Sequence, residues 1–409
     1  MCSSSASADA LPRPFDHASH FVDPYATYRQ LRAQAPVHHI ALPDGSPVWL
    51  VLREADVRAG LSDPRLSVNK AHSRGGYAGF ALPPALDANL LNIDPDDHLR
   101  LRRLVSKAFT PRHVETLRGH VLAAAERLAD GLERQLARAP HVDLVAAYAN
   151  PLPLTVIGDL FDIPEQERHD FSAWVTTMLA PPGREELAAA IAGIHEYLLA
   201  LVATRRANPG SDLLSGLVAA RDEGDRLTED ELVSLVFLIL MAGSENSQHL
   251  ISSGGLALLQ HPEQLAALRA DPGLIPQAVE ELLRHAHPNH MAIRRFPIVD
   301  IEIAGTTVPA GDTVLLCLAS AHRDPDRYPD PDRFDIHRED TAHLALGQGM
   351  HYCLGAPLAR METQIALATL LRRFPRLALA TPAEQLAWRT SFRSHALKEL
   401  PVTVCVDAR

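Results

Sequence analysis

One long helix constrains the fold of this 409-residue chain more than any other feature. Thr228 and Glu231 form the capping-box pattern that starts a helix, and His261-Pro262 stops it. At 1.5 Å per residue, a helix over about Glu229–Gln260 would be roughly 45 Å long and would cross a whole domain. Residues 235–241 are all apolar. We therefore predict that this half of the helix is buried on every side.

The rest of the pattern is mainly helical with small β-sheets. Helical periodicity runs from about Arg102 to Phe374, and Pro375 ends the last helix. Short strands are predicted at residues 37–40, 48–52, 301–303, 308, 314–316 and 400–406. No Gly/Ser linker, low-complexity run or fixed repeat interrupts the chain. We therefore expect one domain over residues 1–409, with residues 1–15 as a disordered tail.

Composition and charge exclude several classes of protein. The chain is 46% hydrophobic, enough for a sizeable core, and its net charge of -11 argues against general nucleic-acid binding. The four cysteines are scattered without a CxxC pair, so neither a disulfide framework nor a zinc site is predicted. The N-terminus lacks the basic start and apolar core of a signal peptide, and no apolar run reaches the ~18 residues of a membrane span. We expect a monomer in the cytoplasm, with no membrane attachment.

A cysteine in a glycine-rich loop is the strongest candidate for chemistry. Cys353 lies in Leu346-Gly347-Gln348-Gly349-Met350-His351-Tyr352-Cys353-Leu354-Gly355, just before a predicted helix. Backbone N–H groups and the helix dipole favour a thiolate at a helix N-terminus. Such a thiolate can bind a soft metal centre, and haem iron is the leading candidate. The alternative is a buried structural cysteine in a tight loop.

This loop resembles the haem loop of the cytochrome P450 family, Phe-Gly-x-Gly-x-His-x-Cys-x-Gly. The chain matches every position except the first, where Leu346 stands. The resemblance implies the cytochrome P450 fold, with haem b between the long helix and the cysteine loop. It implies Cys353 as the iron ligand, and Gly347 and Gly355 as residues that contact the cofactor.

The resemblance also implies four contacts to the haem propionates. His98 and Arg102 match the family's His-x-x-x-Arg helix start, and their spacing puts them on one helical face. Arg295 matches the third contact, with neighbouring Arg294 as a rival, and His351 matches the fourth. The alternative for any one of them is a solvated surface charge.

The middle of the long helix resembles the family's oxygen-binding segment, Ala-Gly-x-Asp/Glu-Thr-Thr/Ser. Ala242, Gly243, Glu245 and Ser247 match it, whereas Asn246 stands in place of the threonine. The resemblance implies Ala242, Gly243, Glu245 and Asn246 as catalytic residues. The alternative is a helix that emerges into solvent at Glu245, with Gly243 as a packing contact.

Asn246 changes the chemistry expected of this segment. A hydroxyl relays protons because it accepts one hydrogen bond while donating another, whereas an amide has separate donor and acceptor groups. We hypothesise that Asn246 orders a water molecule or the substrate. That water, or a substrate hydroxyl, would complete a proton path from Glu245.

A third motif is predicted to be architectural. Glu281 and Arg284 are three residues apart and so share a helical face. The family joins such a pair to an arginine from a later segment, here Pro331-Asp332-Arg333-Phe334. The resemblance therefore implies a buried ion-pair network of Glu281, Arg284 and Arg333.

The function implied by the resemblance is that of a haem-thiolate monooxygenase, which activates O2 to oxidise a hydrophobic small molecule. A step in natural-product (secondary metabolite) biosynthesis is expected. The chain has no flavin or nicotinamide fingerprint, so a ferredoxin or flavodoxin with an NAD(P)H-dependent reductase is expected to supply electrons. The expected docking patch, or alternatively a solvated basic face, consists of Arg100, Arg103, Lys107, Arg112 and Arg360.

The substrate site and the reaction outcome stay open. By analogy, the site would be lined by residues 77–92, Leu238, Met241, Ala242, 291–293, Ser391 and Phe392, with His287, Asn289 and His290 as polar anchors or loop caps. The missing threonine leaves room for radical C–C or C–N coupling of an aromatic substrate without oxygen insertion. Two more classes of function stay open, a peroxygenase and a non-catalytic haem sensor. Glu245 argues against the peroxygenase, because that group carries an arginine near this place.

Overall fold

The structure is a computed structural model that describes residues 11–74, 82–179, 182–222 and 227–404. The chain forms two compact units. The first is drawn from Met1–Gly79, His290–Pro331 and Thr390–Ser394, and the second from Phe80–Asn289, Asp332–Arg389 and His395–Arg409. Each unit combines distant stretches of sequence, so neither is bounded by a linker. The expectation of one domain over the whole chain stays a prediction.

Helices dominate the described residues. They are α1 (Ala18–Val22), α2 (Pro24–Gln34), α3 (Glu54–Ser62), α4 (Pro84–Asp87), α5 (Pro95–Ser106), α6 (Pro111–Leu136), α7 (Pro151–Leu160), α8 (Glu165–Leu179), α9 (Arg184–Ala207), α10 (Leu213–Asp222), α11 (Glu229–Gln260), α12 (Pro262–Ala270), α13 (Ile275–His285), α14 (Leu318–Ala321) and α15 (Ala356–Arg373). The strands are β1 (Val37–Ala41), β2 (Pro47–Val51), β3 (Leu66–Ser67), β4 (Val142–Asp143), β5 (Phe296–Pro297), β6 (Ile301–Ile303), β7 (Thr306–Val308), β8 (Val314–Leu316), β9 (Leu377–Leu379) and β10 (Pro401–Val404). The prediction of a mainly helical fold with small sheets is confirmed.

The first unit carries most of the sheet structure. Strands β1 and β2 are antiparallel, β2 is parallel to β8, and β3–β5 and β6–β7 form two-stranded sheets. Its core includes Phe15, Tyr28 and Leu50, each 0% exposed. The disordered tail predicted over residues 1–15 therefore extends too far, because Phe15 is part of this core. Residues 1–10 of that tail lie outside the described residues.

The second unit is built around α11. This helix spans Glu229–Gln260 and begins with the predicted capping box of Thr228 and Glu231. Residues 232–240 and 247–258 are all buried, because α4, α7, α9 and α15 pack against the helix. The prediction of burial on every side of its first half is confirmed. Strands β4, β10 and β9 form an antiparallel sheet in the same unit.

The sequence missed strands β3, β4, β5 and β9. Each has only two or three residues, too few for an alternating apolar pattern. It also missed the π-helix Val145–Ala149, which lies just before α7.

Helix α9 is long and apolar enough to cross a membrane, judged by length and composition alone. The sequence analysis found no such segment, because short polar interruptions break the apolar run. The buried residues of α9 are Ala190, Ile194, Leu198, Leu201 and Val202, which recur every three or four positions. This spacing is typical of a helix that packs along one side, here against α8.

Candidate active site

The cysteine loop turns sharply before α15. Gly347 and Gly349 have φ angles of 74° and 69°, in the left-handed region that favours glycine. The backbone N–H of Cys353 donates to the carbonyl oxygen of Leu346 at 2.8 Å, which closes the loop. Cys353 therefore lies just before Gly355, the N-cap residue of α15.

Burial dominates the electrostatics of the cysteine. It raises the pKa of the Cys353 thiol above its ordinary value, while the N–H groups of Gly355 and Ala356 and the charges of Arg102 and Arg360 lower it. The predicted stabilising groups are present, but burial outweighs them. The predicted direction of the N–H groups at the helix N-terminus is confirmed, since they lower the pKa of Cys353, but burial raises that pKa by more. Metal binding releases the thiol proton, so a thiolate is expected once iron is bound.

Helix α5 brings two predicted residues to the cysteine loop. The Arg102 guanidinium donates to the carbonyl oxygens of Met350 and Tyr352 at 3.1 and 2.7 Å. One turn earlier, the ring of His98 lies edge-on to His351, with centroids 4.5 Å apart. Burial, and to a lesser extent the charge of Arg102, lowers the pKa of His98 to about 4. The structure thus brings together three of the four predicted propionate contacts, and their role stays a prediction.

The residues around Cys353 fit a haem. His98 is 1% exposed, and its Nδ1 has no hydrogen-bond partner among the described residues. Gly355 has a φ of -80°, and a Cβ there would meet no protein atom within 4 Å. Neither backbone strain nor packing within the protein explains that glycine. A single thiol flanked by an arginine and two histidines suits an iron porphyrin with anionic propionates.

Several predicted residues lie in the first unit. Arg295 is 4% exposed, and its backbone exchanges hydrogen bonds of 2.9 and 2.8 Å with Val314. Met291 belongs to the hydrophobic core of that unit, and Phe392 is partly buried and packs against it. The roles of Arg295 in haem binding and of these residues as substrate walls stay predictions. Residues 77–81 of the expected wall lie outside the described residues.

Glu245 lies within an unbroken helix. Its Oε1 is 3.7 Å from Nε2 of His249, one turn further on, and 4.0 Å from Nη1 of Arg389. The helix does not emerge into solvent at this point, because residues 247–258 are buried. The solvent-exposed interpretation is wrong. The i, i+4 spacing of Glu245 and His249 was visible in the sequence, whereas Arg389 was not signalled.

Gly243 has a packing reason. A Cβ at this position would lie 2.7 and 2.9 Å from side-chain carbons of Ile157 on α7. Glycine therefore allows α11 and α7 to approach each other. The interpretation of Gly243 as a packing contact is confirmed, and its catalytic role stays a prediction. Ala242, which precedes it, is exposed.

Asn246 is held by a second asparagine. Its Oδ1 accepts a hydrogen bond from Nδ2 of Asn289 at 2.9 Å. Asn289 lies in the segment that follows α13. Both residues are site candidates by sequence, but nothing in their spacing predicts that they pair.

A buried carboxyl group lies where α15 meets α11. Glu362 is 1% exposed, and burial raises its pKa to about 8, while Ser247 on α11 opposes this rise. Neither carboxyl oxygen makes a hydrogen bond of normal geometry within the described part of the chain. Glu362 was not among the residues predicted from the sequence. Its burial could have been predicted from its helical spacing with Leu358 and Ile365, which both lie on the buried face of α15.

The buried ion-pair network uses a different arginine from the one predicted. Arg284 donates to both carboxylate oxygens of Glu281 at 2.8 and 2.7 Å, and both side chains are 1% exposed. Arg338 approaches the same carboxylate at 3.4 Å. The side chain of Arg333 is 62% exposed and pairs with Asp335, so its predicted place in the network is wrong. Its backbone carbonyl takes part instead, because it accepts from Arg284 at 3.0 Å.

The basic patch is smaller than predicted. Arg100 pairs with Asp97 and Glu231, and Arg360 pairs with Glu280, so their charges are partly neutralised. The other three cations are exposed and have no ion-pair partner among the described residues; they are Arg103, Lys107 and Arg112.

Comparisons with known proteins agree with this geometry. The family model described as Cytochrome P450 matches residues 273–405. The chain is 45% identical over 383 residues to the cytochrome P450 monooxygenase PikC of Streptomyces venezuelae, with 93% of this chain and 91% of PikC covered. This chain belongs to the cytochrome P450 family. It is an enzyme of the monooxygenase type that the sequence predicted.

Solved structures share the fold over nearly the whole chain. The tirandamycin C-bound P450 monooxygenase TamI has a TM-score of 0.87 and 39% identity, covering 96% of this chain and 100% of TamI. SgvP, a putative thioether synthase in the tailoring of griseoviridin, has a TM-score of 0.88 and 41% identity, covering 97% of this chain and 100% of SgvP.

Proposed function

We propose that this protein is a haem-thiolate monooxygenase that uses O2 to oxidise a hydrophobic small molecule in natural-product biosynthesis. The proposal rests on the arrangement of three side chains at the Cys353 loop, namely His98, Arg102 and His351. The printed names of its relatives support the biosynthetic role, since TamI is bound to tirandamycin C and SgvP acts in griseoviridin tailoring.

The cofactor that fits is haem b. Cys353 would ligate its iron, and His98, Arg102, Arg295 and His351 would hold its propionates. When bound, the haem supplies the iron that activates O2, and a thiolate ligand favours O–O cleavage. Gly347 and Gly355 would contact the cofactor.

Two carboxyl groups on facing helices are suited to handle protons. Glu362 holds a proton near neutral pH because burial raises its pKa to about 8, and it lies beside Ser247. Glu245 lies on the same helix as Ser247, 3.7 Å from the ring of His249 and 4.0 Å from the guanidinium of Arg389. We propose that these two acids supply protons to the middle of α11, where Asn246 cannot relay them as a hydroxyl would.

The electron donor that fits is a ferredoxin or flavodoxin reduced by an NAD(P)H-dependent reductase. Such donors are acidic, and the exposed Arg103, Lys107 and Arg112 offer a complementary surface on α5 and the start of α6. We propose that the enzyme works as a monomer in the cytoplasm and binds neither nucleic acid nor membrane.

Reconstitution with haem tests the proposal. The reduced protein treated with carbon monoxide should show the absorption band that marks a thiolate ligand. Cys353→Ser should lose this band, whereas the control Cys317→Ser, at a cysteine in the first unit, should keep it. A folded, haem-loaded wild type without the band would refute the proposal.

Turnover separates the monooxygenase from a peroxygenase and from a sensor. A generic ferredoxin with reductase and NADPH should support oxidation of a hydrophobic substrate. Activity with hydrogen peroxide alone would point to a peroxygenase. A haem-loaded protein that turns over nothing under either condition would be a sensor.

A second function, radical C–C or C–N coupling of an aromatic substrate, is favoured by Asn246 at the threonine position. SgvP, which is named for thioether synthesis, supports bond formation only in a general sense, since a thioether contains C–S bonds. Turnover under isotopically labelled O2 distinguishes the two functions. Label in the product supports oxygen insertion, and a coupled product without label supports the second function.

A further inference from the structure

We propose that Asn289 is a positioning residue that turns the amide N–H groups of Asn246 toward the substrate, so that the site prefers a hydrophobic molecule carrying an oxygen acceptor. This inference rests on the proposed function and deepens it by naming the substrate class. Suitable acceptors are carbonyl and ether oxygens.

A hydrogen bond joins the side-chain amides of Asn246 and Asn289. Asn289 Nδ2 donates to Asn246 Oδ1 at 2.9 Å, a normal length for a partly buried bond. The carbonyl oxygen and the amino group of a side-chain amide lie in one plane, on opposite sides of the Cβ–Cγ bond. Fixing the oxygen therefore fixes where the amino group points. The Asn246 Nδ2 group makes no hydrogen bond to a described residue and remains available as a donor.

The backbone around Asn289 is fixed by two hydrogen bonds. Nδ1 of His287 donates to the backbone carbonyl of Asn289 at 2.9 Å, and His287 is 7% exposed. The backbone N–H of His395 donates to the carbonyl of Pro288 at 2.8 Å. These bonds fix the segment from which Asn289 reaches α11. The side chain of Asn289 therefore starts from a fixed backbone position when it donates to Asn246.

Asn246 lies in the less buried middle of α11. Ala242 lies one helical turn earlier on the same face and is exposed, and Met241 and residues 243–246 are only partly buried, between the buried stretches 232–240 and 247–258. Glu245 is adjacent in sequence, and its carboxylate lies 3.7 Å from the ring of His249 and 4.0 Å from the guanidinium of Arg389. Asn246 therefore offers a neutral donor on the open face of the helix. A neutral donor selects an acceptor oxygen without requiring a charge on the ligand.

Ligand binding tests the preference. The haem-loaded protein is titrated with macrocyclic ketones of increasing ring size, each paired with the cycloalkane of the same ring, and affinity is measured by calorimetry. The wild type should bind the ketones roughly fivefold to tenfold more tightly, the range of one hydrogen bond. Equal affinities across all pairs would overturn the proposal.

Three variants distinguish the role of Asn246, the proposed donor to the substrate, from that of Asn289, which positions it. Asn246→Asp keeps an acceptor for Asn289 but has no N–H, so the ketone preference should vanish. Asn289→Asp accepts only, so it should turn the Asn246 amide around and also abolish the preference. Asn289→Ala should weaken it several-fold and leave cycloalkane affinity unchanged. The control Asn208→Ala, at the exposed end of α9, should behave like the wild type.

Opposite results would overturn the proposal. An unchanged ketone preference in Asn246→Asp would mean that Asn246 orders only water. An equal loss of ketone and cycloalkane affinity in Asn289→Ala would mean a structural role for Asn289.

Unfolding by denaturant gives a readout independent of ligand and turnover. The single variants Asn246→Ala and Asn289→Ala and their double variant form a cycle. Their effects on stability should be non-additive, and additivity would show that the amides do not interact. Failure of either test with a normal carbon monoxide band refutes the positioning role alone. Loss of the band refutes the proposed function.

Discussion

The environment of Glu362 makes the stability of this protein depend on pH. Burial raises its pKa from 4.5 to about 8, so the folded protein keeps a proton that the unfolded chain releases above pH 4.5. The contribution of Glu362 to stability is therefore fully present at low pH. It falls as the pH rises toward 8, by at most about 1.4 kcal/mol for each pH unit.

Glu362→Gln should remove this pH dependence, because glutamine stays neutral. The free energy of unfolding of the variant, relative to the wild type, should rise steadily between about pH 5 and pH 8. Urea denaturation of the holoprotein at several pH values measures the difference. A difference that stays constant with pH would contradict the buried, protonated state of Glu362.

Asn246 should limit the coupling of electron use to product formation. Asn246→Thr restores a hydroxyl that can accept and donate at once, so it should lower the hydrogen peroxide released per NADPH, by roughly twofold or more. Ser244→Ala is a matched control on the same helix, because the Ser244 hydroxyl already donates to the Leu240 carbonyl at 3.0 Å. Unchanged peroxide release in Asn246→Thr would remove Asn246 from proton delivery.

At the scale of elements, the contact of α11 with α7 depends on Gly243. Gly243→Ala should destabilise the protein by about 1–3 kcal/mol, since overpacking against Ile157 outweighs the better helix propensity of alanine. In an Ile157→Ala background the same change should cost less, because the clashing atoms are gone. Thermal unfolding of the wild type, both single variants and the double variant measures this difference. A Gly243→Ala variant as stable as the wild type would show that α7 can shift at little cost.

The elements themselves were largely predictable where local signals were strong. The bounds of α11 followed from its capping box and from His261-Pro262, and β6 and β8 followed from short apolar runs. The two-residue strands could not be predicted, because their backbone pairs with distant partners, as β3 does with β5, and no local periodicity records such pairing. The π-helix is closed by a local bond from the N–H of Asn150 to the carbonyl of Val145, and a single turn is too short for a periodic signal.

At the scale of the whole molecule, the network of Glu281 ties α13 to a later segment of the chain. Arg338→Ala should destabilise the protein by about 2 kcal/mol, because a buried carboxylate loses part of its compensation. Arg333→Ala is the matched comparison in the same segment. It should cost less than about 0.5 kcal/mol, since its side chain is exposed. Equal losses in urea denaturation would contradict this assignment.

Charge on the surface should control electron delivery. Reversing Arg103 and Arg112 to glutamate should slow reduction by an acidic ferredoxin about tenfold or more at low salt, with a smaller effect at high salt. Arg134→Glu is a matched control, because Arg134 is exposed on α6, roughly 33 Å along the helix from Arg112. Stopped-flow reduction measures the rates. Rates that respond equally to both changes would leave only net charge as the cause.

The sequence by itself determined the fold class, the family, the long helix and the cysteine loop. These rest on local patterns, such as caps, apolar spacing and the glycines that allow φ near 70° at Gly347 and Gly349. Only the tertiary structure decided which side chains meet. The pairing of Asn246 with Asn289 and the choice of Arg338 over Arg333 depend on contacts between residues far apart in the chain. A contact of that kind leaves no trace in the spacing of either partner.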